Sequence, residues 1–268
     1  MGAFRLALGL LTIVPVKAPD NPSRENVRTA ILLAPVIGLG IGITVAAILF
    51  VARMGLDTSF TTRASSSLLA ALAAAALAIL SLELITGGLH LDGLADTVDG
   101  LAARGDKERT EAVMRDPAVG AMGSAAITGV LLIQVAALAL ATQRGHGTEA
   151  LVTAVVAGRV AIVWGCTRPA ARSEGLGAWV GGVVSVWAAV LVTVAALVVP
   201  LVLSVIDDDA RRQTTVIMLA AVPAGLLVAA LATAAIRRRL GGITGDVLGA
   251  ACQAATTGAL VLAACAPS

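Results

Sequence analysis

Glu83-Leu-Ile-Thr-Gly-Gly-Leu-His90-Leu-Asp92-Gly-Leu-Ala-Asp96-Thr-Val-Asp99-Gly100 places three aspartates within eight residues of otherwise apolar sequence. Their spacing, i, i+4 and i+7, predicts one stripe on a helix over roughly 91–103, with neighbouring Cβ atoms about 5–6 Å apart. Leu91, Leu94, Ala95 and Val98 cover the rest of that helix. Like charges stacked in this way repel, and charge beside apolar sequence is costly unless paired, hydrated or bound to metal. A divalent cation removes the conflict. Mg²⁺ takes oxygen ligands, commonly one or two carboxylates with water and substrate phosphate completing the shell. Glu83 is a further carboxylate beside the stripe, and His90 a group able to bond phosphate, orient a carboxylate or move a proton.

Outward from this stretch the chain is built for lipid. Of its 268 residues, 58% are hydrophobic and 13% charged, about half the charge of an ordinary soluble protein. Seven apolar runs fit membrane spans at roughly 29–52, 64–82, 119–141, 149–167, 179–203, 214–236 and 247–266, near the roughly 20 residues that cross a bilayer. The expected fold is all-α, a polytopic transmembrane bundle with membrane-edge helices, read as a single domain. The apolar stretch after Arg5 is followed by no convincing small-x-small cleavage site, so it reads as an edge helix rather than a secretory signal.

Basic residues orient the bundle. With the N-terminus in the cytoplasm and seven crossings, 13 Lys and Arg residues fall inside. Arg53, Arg63, Arg144, Arg211 and Arg212 fall outside, with Asp207, Asp208 and Asp209, and Arg159 lies within a span. This is the positive-inside bias. It puts the aspartate stripe, the loop through Arg109, Arg115 and Asp116, and the run Arg239-Leu-Gly241-Gly-Ile-Thr244-Gly245-Asp246 on one cytoplasmic face. Arg159 lies about 12 Å from that end at 1.5 Å per residue.

Arg109, Arg115, Arg159 and Arg239 are the expected partners of phosphate oxygens. The glycine-rich run ending in Thr244 and Asp246 suits an anion at a helix N-terminus, with Asp246 as N-cap or as another carboxylate. It lacks the G-x-x-x-x-G-K-[ST] pattern of a P-loop. Cys166, Cys252 and Cys265 share no metal-ligand spacing, and 2% aromatic content excludes a stacking surface for polymeric nucleic acid. These residues point to phosphoryl-group transfer between a diphosphate donor and a hydroxyl acceptor. The rival reading is an ion-coupled membrane transporter, in which the acidic row carries cations.

The run Glu83–Gly100, the stretch from Arg109 through Met114-Arg-Asp-Pro-Ala-Val-Gly120-Ala-Met-Gly123, and Arg239 through Asp246 together resemble the cobalamin synthase family, the adenosylcobinamide-GDP ribazoletransferases. That resemblance implies a Mg²⁺-dependent enzyme of the cytoplasmic (inner) membrane. Its reaction transfers the adenosylcobinamide-phosphate moiety to α-ribazole or α-ribazole 5′-phosphate and releases GMP. The family's acidic motif falls on Asp92, Asp96 and Asp99, with His90 and Glu83 beside it. Metal ligation is expected from Asp92, Asp96, Asp99 and Glu83, and proton transfer from Asp99 or His90, with Asp96 also at the reacting centre. The expected partners are the two small-molecule substrates and the lipid bilayer, with self-association left open.

Overall fold

The computed structural model describes residues 2–17, 19, 21–59, 64–206 and 212–267, without the side chains of 57–59, 64–67 and 206. Arg63, Asp207, Asp208, Asp209 and Arg211, assigned above to the outer face, lie outside the described residues. The helices are α1 (Gly2–Leu11), α2 (Arg24–Leu32), α3 (Ala34–Ser59), α4 (Ala64–Thr86), α5 (Leu89–Ala102), α6 (Lys107–Val113), α7 (Ala121–Gln143), α8 (Gly147–Gly165), α9 (Leu176–Val180), α10 (Val186–Ala196), α11 (Val198–Ile206), α12 (Arg212–Ala232), α13 (Ala234–Leu240) and α14 (Gly245–Ala264). No strand occurs among the described residues. One isolated bridge joins Ala170 to Ile243.

Among the described residues, seven segments are long and apolar enough to cross a membrane: Arg24–Leu56, Leu68–Thr86, Ala121–Gln143, Gly147–Gly165, Val186–Val205, Arg212–Ala232 and Gly245–Ala264. The all-α polytopic bundle expected from composition is therefore the fold. Two boundaries differ from the sequence reading. Arg53 lies inside α3 rather than in a connector. The region expected as one span over 179–203 begins with the short α9, breaks at Gly181–Ser185 and resumes as α10, capped by the Ser185 hydroxyl, which accepts from the Ala188 amide.

α8 is the central helix. Nearly all its residues from Ala150 to Val163 are buried, on every side of the helix. A helix that is apolar all round belongs inside a bundle, and α3, α12 and α14 enclose this one. Small residues set the spacing, as expected where lipid removes the hydrophobic drive between helices. A Cβ on Gly225 of α12 would lie 2.5 Å from the Ala255 carbonyl oxygen of α14.

The same rule positions the acidic stretch. α4 ends at Thr86, and Gly87 and Gly88 follow with φ of +64° and +69°. Two successive left-handed residues, readily adopted only by glycine, turn the chain so that α5 starts a new direction at the bundle's edge. There α5 packs on the N-terminal half of α14. A Cβ on Gly93 would lie 2.7 Å from the Asp246 carbonyl oxygen and 2.9 Å from its Cα. A Cβ on Gly249 would lie 3.3 Å from the Gly93 Cα. The two backbones meet at a crossing that admits no side chain. Gly93→Ala should cost about 1–3 kcal/mol through overpacking and lower the thermal midpoint of the detergent-solubilised protein. A parental midpoint would show that the helices do not touch at Gly93.

Candidate active site

The α5–α14 crossing brings Asp92 and Asp96 of one helix to Asp246 of the other. Asp96 is pushed up to about 6, first by burial and then by the charges of Asp92, Asp246 and Asp99. Carboxylates that crowd and desolvate one another favour a proton or a cation between them. Thr244, not Asp246, is the N-cap of α14: its hydroxyl oxygen accepts from the Val247 amide at 3.3 Å. The Thr244 hydroxyl in turn donates to Asp246 Oδ2 at 3.2 Å. Asp246 thus stands in the first helical turn, steered toward α5.

Asp99 has a different position from its two neighbours. Its Oδ2 accepts from the Gly120 amide at 2.7 Å and its Oδ1 from the Gly123 amide at 2.8 Å. The carboxylate caps α7, whose free N–H groups and dipole favour a negative charge there. Gly120-Ala-Met-Gly123 leaves room for it, since a Cβ at either glycine would fall on the Asp99 carboxylate. The aspartate stripe is therefore split: Asp92 and Asp96 look toward α14, and Asp99 locks α5 to α7.

Glu83 and Arg159 form a second centre, away from the stripe. Glu83, at the C-terminal end of α4, is buried, and its Oε1 accepts from Gln253 Nε2 at 2.9 Å. Gln253 Oε1 accepts from Gln134 Nε2 at 2.9 Å, and the same nitrogen donates to the Thr257 hydroxyl at 2.9 Å. The chain Glu83–Gln253–Gln134 joins α4, α14 and α7 through the bundle interior. Arg159 is 1% exposed, with its stem against Gly38 of α3 and its charge near enough to act on Glu83 and His90. It does not reach the carboxylates of α5. Burial, and then the Arg159 charge, push His90 down to about 3, so its imidazole is neutral.

The expected phosphate ligands are likewise redistributed. Arg239 Nη1 donates to the carbonyls of Gly100, Leu101 and Ala103 at 3.2–3.3 Å. A cation on the last carbonyls of a helix is a C-terminal cap, and Arg239 fastens α13 to the end of α5 in this way. Arg115 pairs with Glu111 at 3.3 Å on the exposed side of α6. Arg109 is exposed, and its amide donates to the N-cap carboxylate of Asp106 at 2.9 Å. The basic residue whose charge acts on Asp246 is Arg172, which the sequence reading counted only as a cytoplasmic charge. Its Nε lies 3.4 Å from Glu111 Oε2, its Nη2 has no hydrogen-bond partner, and its charge acts on Asp246. Only the pairing of two distant loops places it there: the Ala171 amide donates to the Ile243 carbonyl at 2.8 Å, and the Ile243 amide donates to Pro169 at 3.0 Å.

Two cavities meet at Asp246. One, of about 190 Å³, is lined by Leu10, Leu11, Ile31 and Ile162 together with His90 and Asp92. The other, of about 150 Å³, is lined by Arg172, Glu174 and Thr244. Leu176, Gly245 and Asp246 belong to both. An apolar chamber thus adjoins a polar one across a carboxylate. Among the described residues, no three His, Cys, Asp or Glu side chains form a ready metal cage. This donor set, all carboxylate oxygen and open on one side, fits a hard cation that keeps water and phosphate in its shell. It does not fit a closed structural metal site.

Fold and site together define a multi-pass membrane protein with a carboxylate-centred cleft at one end of its bundle. The chain belongs to the cobalamin-5-phosphate synthase family, whose profile matches residues 3–264. Similar proteins include the adenosylcobinamide-GDP ribazoletransferase of Nocardioides sp., 38% identical over 97% of this chain and 96% of that protein. The protein of the same name from Frankia casuarinae is 34% identical over 91% and 88%. That of Geotalea daltonii is 33% identical over 92% and 90%. No solved structure matches the chain. Family membership makes this protein an enzyme of cobalamin biosynthesis, and it decides against the transporter reading.

The two roles within the stripe are separable by amide hydrogen exchange. Asp99→Ala should speed exchange over Gly120–Ser124 by about fivefold to tenfold, the loss of a cap worth roughly 1 kcal/mol. Asp99→Asn, which keeps one acceptor oxygen, should fall between it and the parent. Parental exchange in the alanine variant would place the carboxylate elsewhere.

Proposed function

We propose that this protein transfers the adenosylcobinamide-phosphate moiety of adenosylcobinamide-GDP to α-ribazole or α-ribazole 5′-phosphate and releases GMP. The reaction takes place at the cytoplasmic face of the inner membrane, with the N-terminus inside, and requires Mg²⁺. The observation that carries this reading is the approach of Asp92 and Asp246 on the wall of an apolar chamber that adjoins one lined by Arg172, with Asp96 close enough to feel both charges. The named relatives supply the substrate class. The distribution of Lys and Arg supports the orientation.

Asp92, Asp96 and Asp246 would hold Mg²⁺, which when bound supplies positive charge to the donor diphosphate and to the leaving GMP oxygen. The protein's own groups do the positioning. Arg172, which lines the polar chamber, binds a phosphoryl oxygen. The neutral imidazole of His90, on the wall of the apolar chamber, offers a hydrogen bond without adding charge. Leu10, Leu11 and Ile162 exclude water from that side, which strengthens the charge interactions beside them. The acceptor hydroxyl attacks the phosphorus on the cobinamide side, the bond from that phosphorus to the GMP oxygen breaks, and the hydroxyl proton passes to the Asp92–Asp96 pair. Asp99 and Arg239 hold α5 still from its two sides, so the attacking and leaving oxygens meet fixed partners.

The test is GMP release by purified protein supplied with adenosylcobinamide-GDP, α-ribazole and Mg²⁺. EDTA should abolish it, and Asp92→Asn and Asp96→Asn should each lower kcat by about 100-fold or more, the scale of one lost charge-stabilising group. Arg172→Gln should raise KM for the GDP-bearing donor by about tenfold, the loss of one hydrogen bond to a charged group. Parental activity of Asp96→Asn at limiting Mg²⁺, with normal protein yield, would remove the carboxylate pair from the reacting centre.

A further inference from the structure

On the other side of α8 and α14 from the carboxylates lies a second pair of joined cavities, which the transfer reaction does not use. The outer one, about 290 Å³, is lined by Arg168, Arg237 and Arg238 with Pro169, Gly241 and Gly242. The inner one, about 140 Å³, runs down between α8, α12 and α14 past Trp164, Leu226, Ala229 and Ala251. Arg168 and Arg237 line both, so a basic mouth adjoins an apolar floor. The mouth is at the end of the bundle where α8 and α12 terminate and α14 begins.

Among the described residues none of the three arginines forms an ion pair, although Lys107, Arg115 and Arg172 all find Glu111. Arg237 donates from Nε to the Thr233 carbonyl at 3.3 Å and from Nη2 to the Ala230 carbonyl at 3.0 Å. This fixes its head at the break between α12 and α13 and leaves its remaining N–H groups for the cavity. Burial, and then Arg168 and Arg238, push the Arg237 guanidinium below its usual range. An inner-side topology anchor requires positive charge in a loop. It does not require three guanidinium groups converging on one cavity with an apolar channel beneath. A ligand that satisfies both halves carries a phosphate at headgroup depth and a hydrocarbon chain below it.

We propose that this cleft is a binding site for an anionic phospholipid, with its phosphate on Arg168, Arg237 and Arg238 and one acyl chain lying between α8, α12 and α14 past Trp164. The site also touches the active centre through the backbone. Gly241 and Gly242 line the lipid cavity, while Thr244, Gly245 and Asp246, in the same short run, line the polar chamber. The proposal is independent of which substrates the carboxylate site takes.

Trp164 is a built-in reporter, pinned by its Nε1 donating to the Thr193 hydroxyl at 2.9 Å. With Trp179→Phe and Trp187→Phe it becomes the sole tryptophan of the full chain, which is then placed in phosphatidylcholine nanodiscs. Lipids brominated on the acyl chains quench its fluorescence on contact. Brominated phosphatidylglycerol should reach half-maximal quenching at a mole fraction about tenfold lower than phosphatidylcholine with the same chains, given three basic groups at the headgroup level. Replacing all three arginines with glutamine should bring the two lipids together. Ala230→Phe fills the channel from an exposed position and keeps every charge, so it should also diminish the preference. Equal quenching by the two lipids in the parent would overturn the proposal, as would a preference that survives in the triple variant. It also falls if the lipids quench alike while the triple variant raises KM for the GDP-bearing donor, because the arginines then serve a free phosphoryl group.

Discussion

Two helix backbones in contact at Gly93 and Gly249 determine what this protein's charges can do. With any side chain at that crossing, α5 would stand off from α14 and the carboxylates of the two helices would be separated by lipid or water. Without one, Asp92 and Asp96 share a small, half-dry space with Asp246, where burial and then the neighbouring carboxylates make Asp96 harder to ionise. The electrostatic strain is local, and the remainder of the bundle is arranged to sustain it. Asp99 and Arg239 grip α5 through unsatisfied helix ends, one at the start of α7 and the other at its own last carbonyls.

Backbone at helix ends is the main currency of this architecture. In water, exposed amides and carbonyls find solvent, but at the edge of a bilayer each needs a side chain or a turn. Arg144 donates to the carbonyls of Ala264 and Ala266 at the far end of the bundle, as Arg239 does at the near end. Thr244 and Ser185 start helices, and Arg237 closes the break after α12. Charges that composition offers as substrate ligands are thus partly spent on structure. Arg172 keeps an unpartnered nitrogen beside the site because Glu111, which it faces, is shared with Lys107 and Arg115.

The interior network has a related logic. Glu83 and Arg159 are far from water, and neither could remain there alone at tolerable cost. Gln253 and Gln134 carry the polarity of Glu83 across three helices, and the stem of Arg159 fills the space that Gly38 vacates on α3. The hydrogen bonds among Glu83, Gln253 and Gln134 join α4, α7 and α14 beneath the candidate site. Burial keeps His90 neutral and the Arg159 charge adds to that, which couples the apolar chamber to the middle of the bundle.

Hydropathy alone determined the class of fold, because seven near-uncharged runs of bilayer length have no stable alternative to spanning helices. The i, i+4, i+7 spacing likewise marked α5 as the candidate site, since like charges on one stripe each need a partner. Division of labour within that stripe was not readable. Asp92 and Asp99 lie on the same face by periodicity, but what each one meets depends on α14 and α7, more than 20 residues away in sequence. Glu83 and Arg159 were visible as charges in apolar surroundings and Arg239 as the end of a basic run, yet their partners come from helices whose order in space no spacing rule encodes. Arg172 carried no signal at all, for one of two arginines in a connector acquires meaning only when the Ala170–Ile243 bridge folds that connector against the start of the last span.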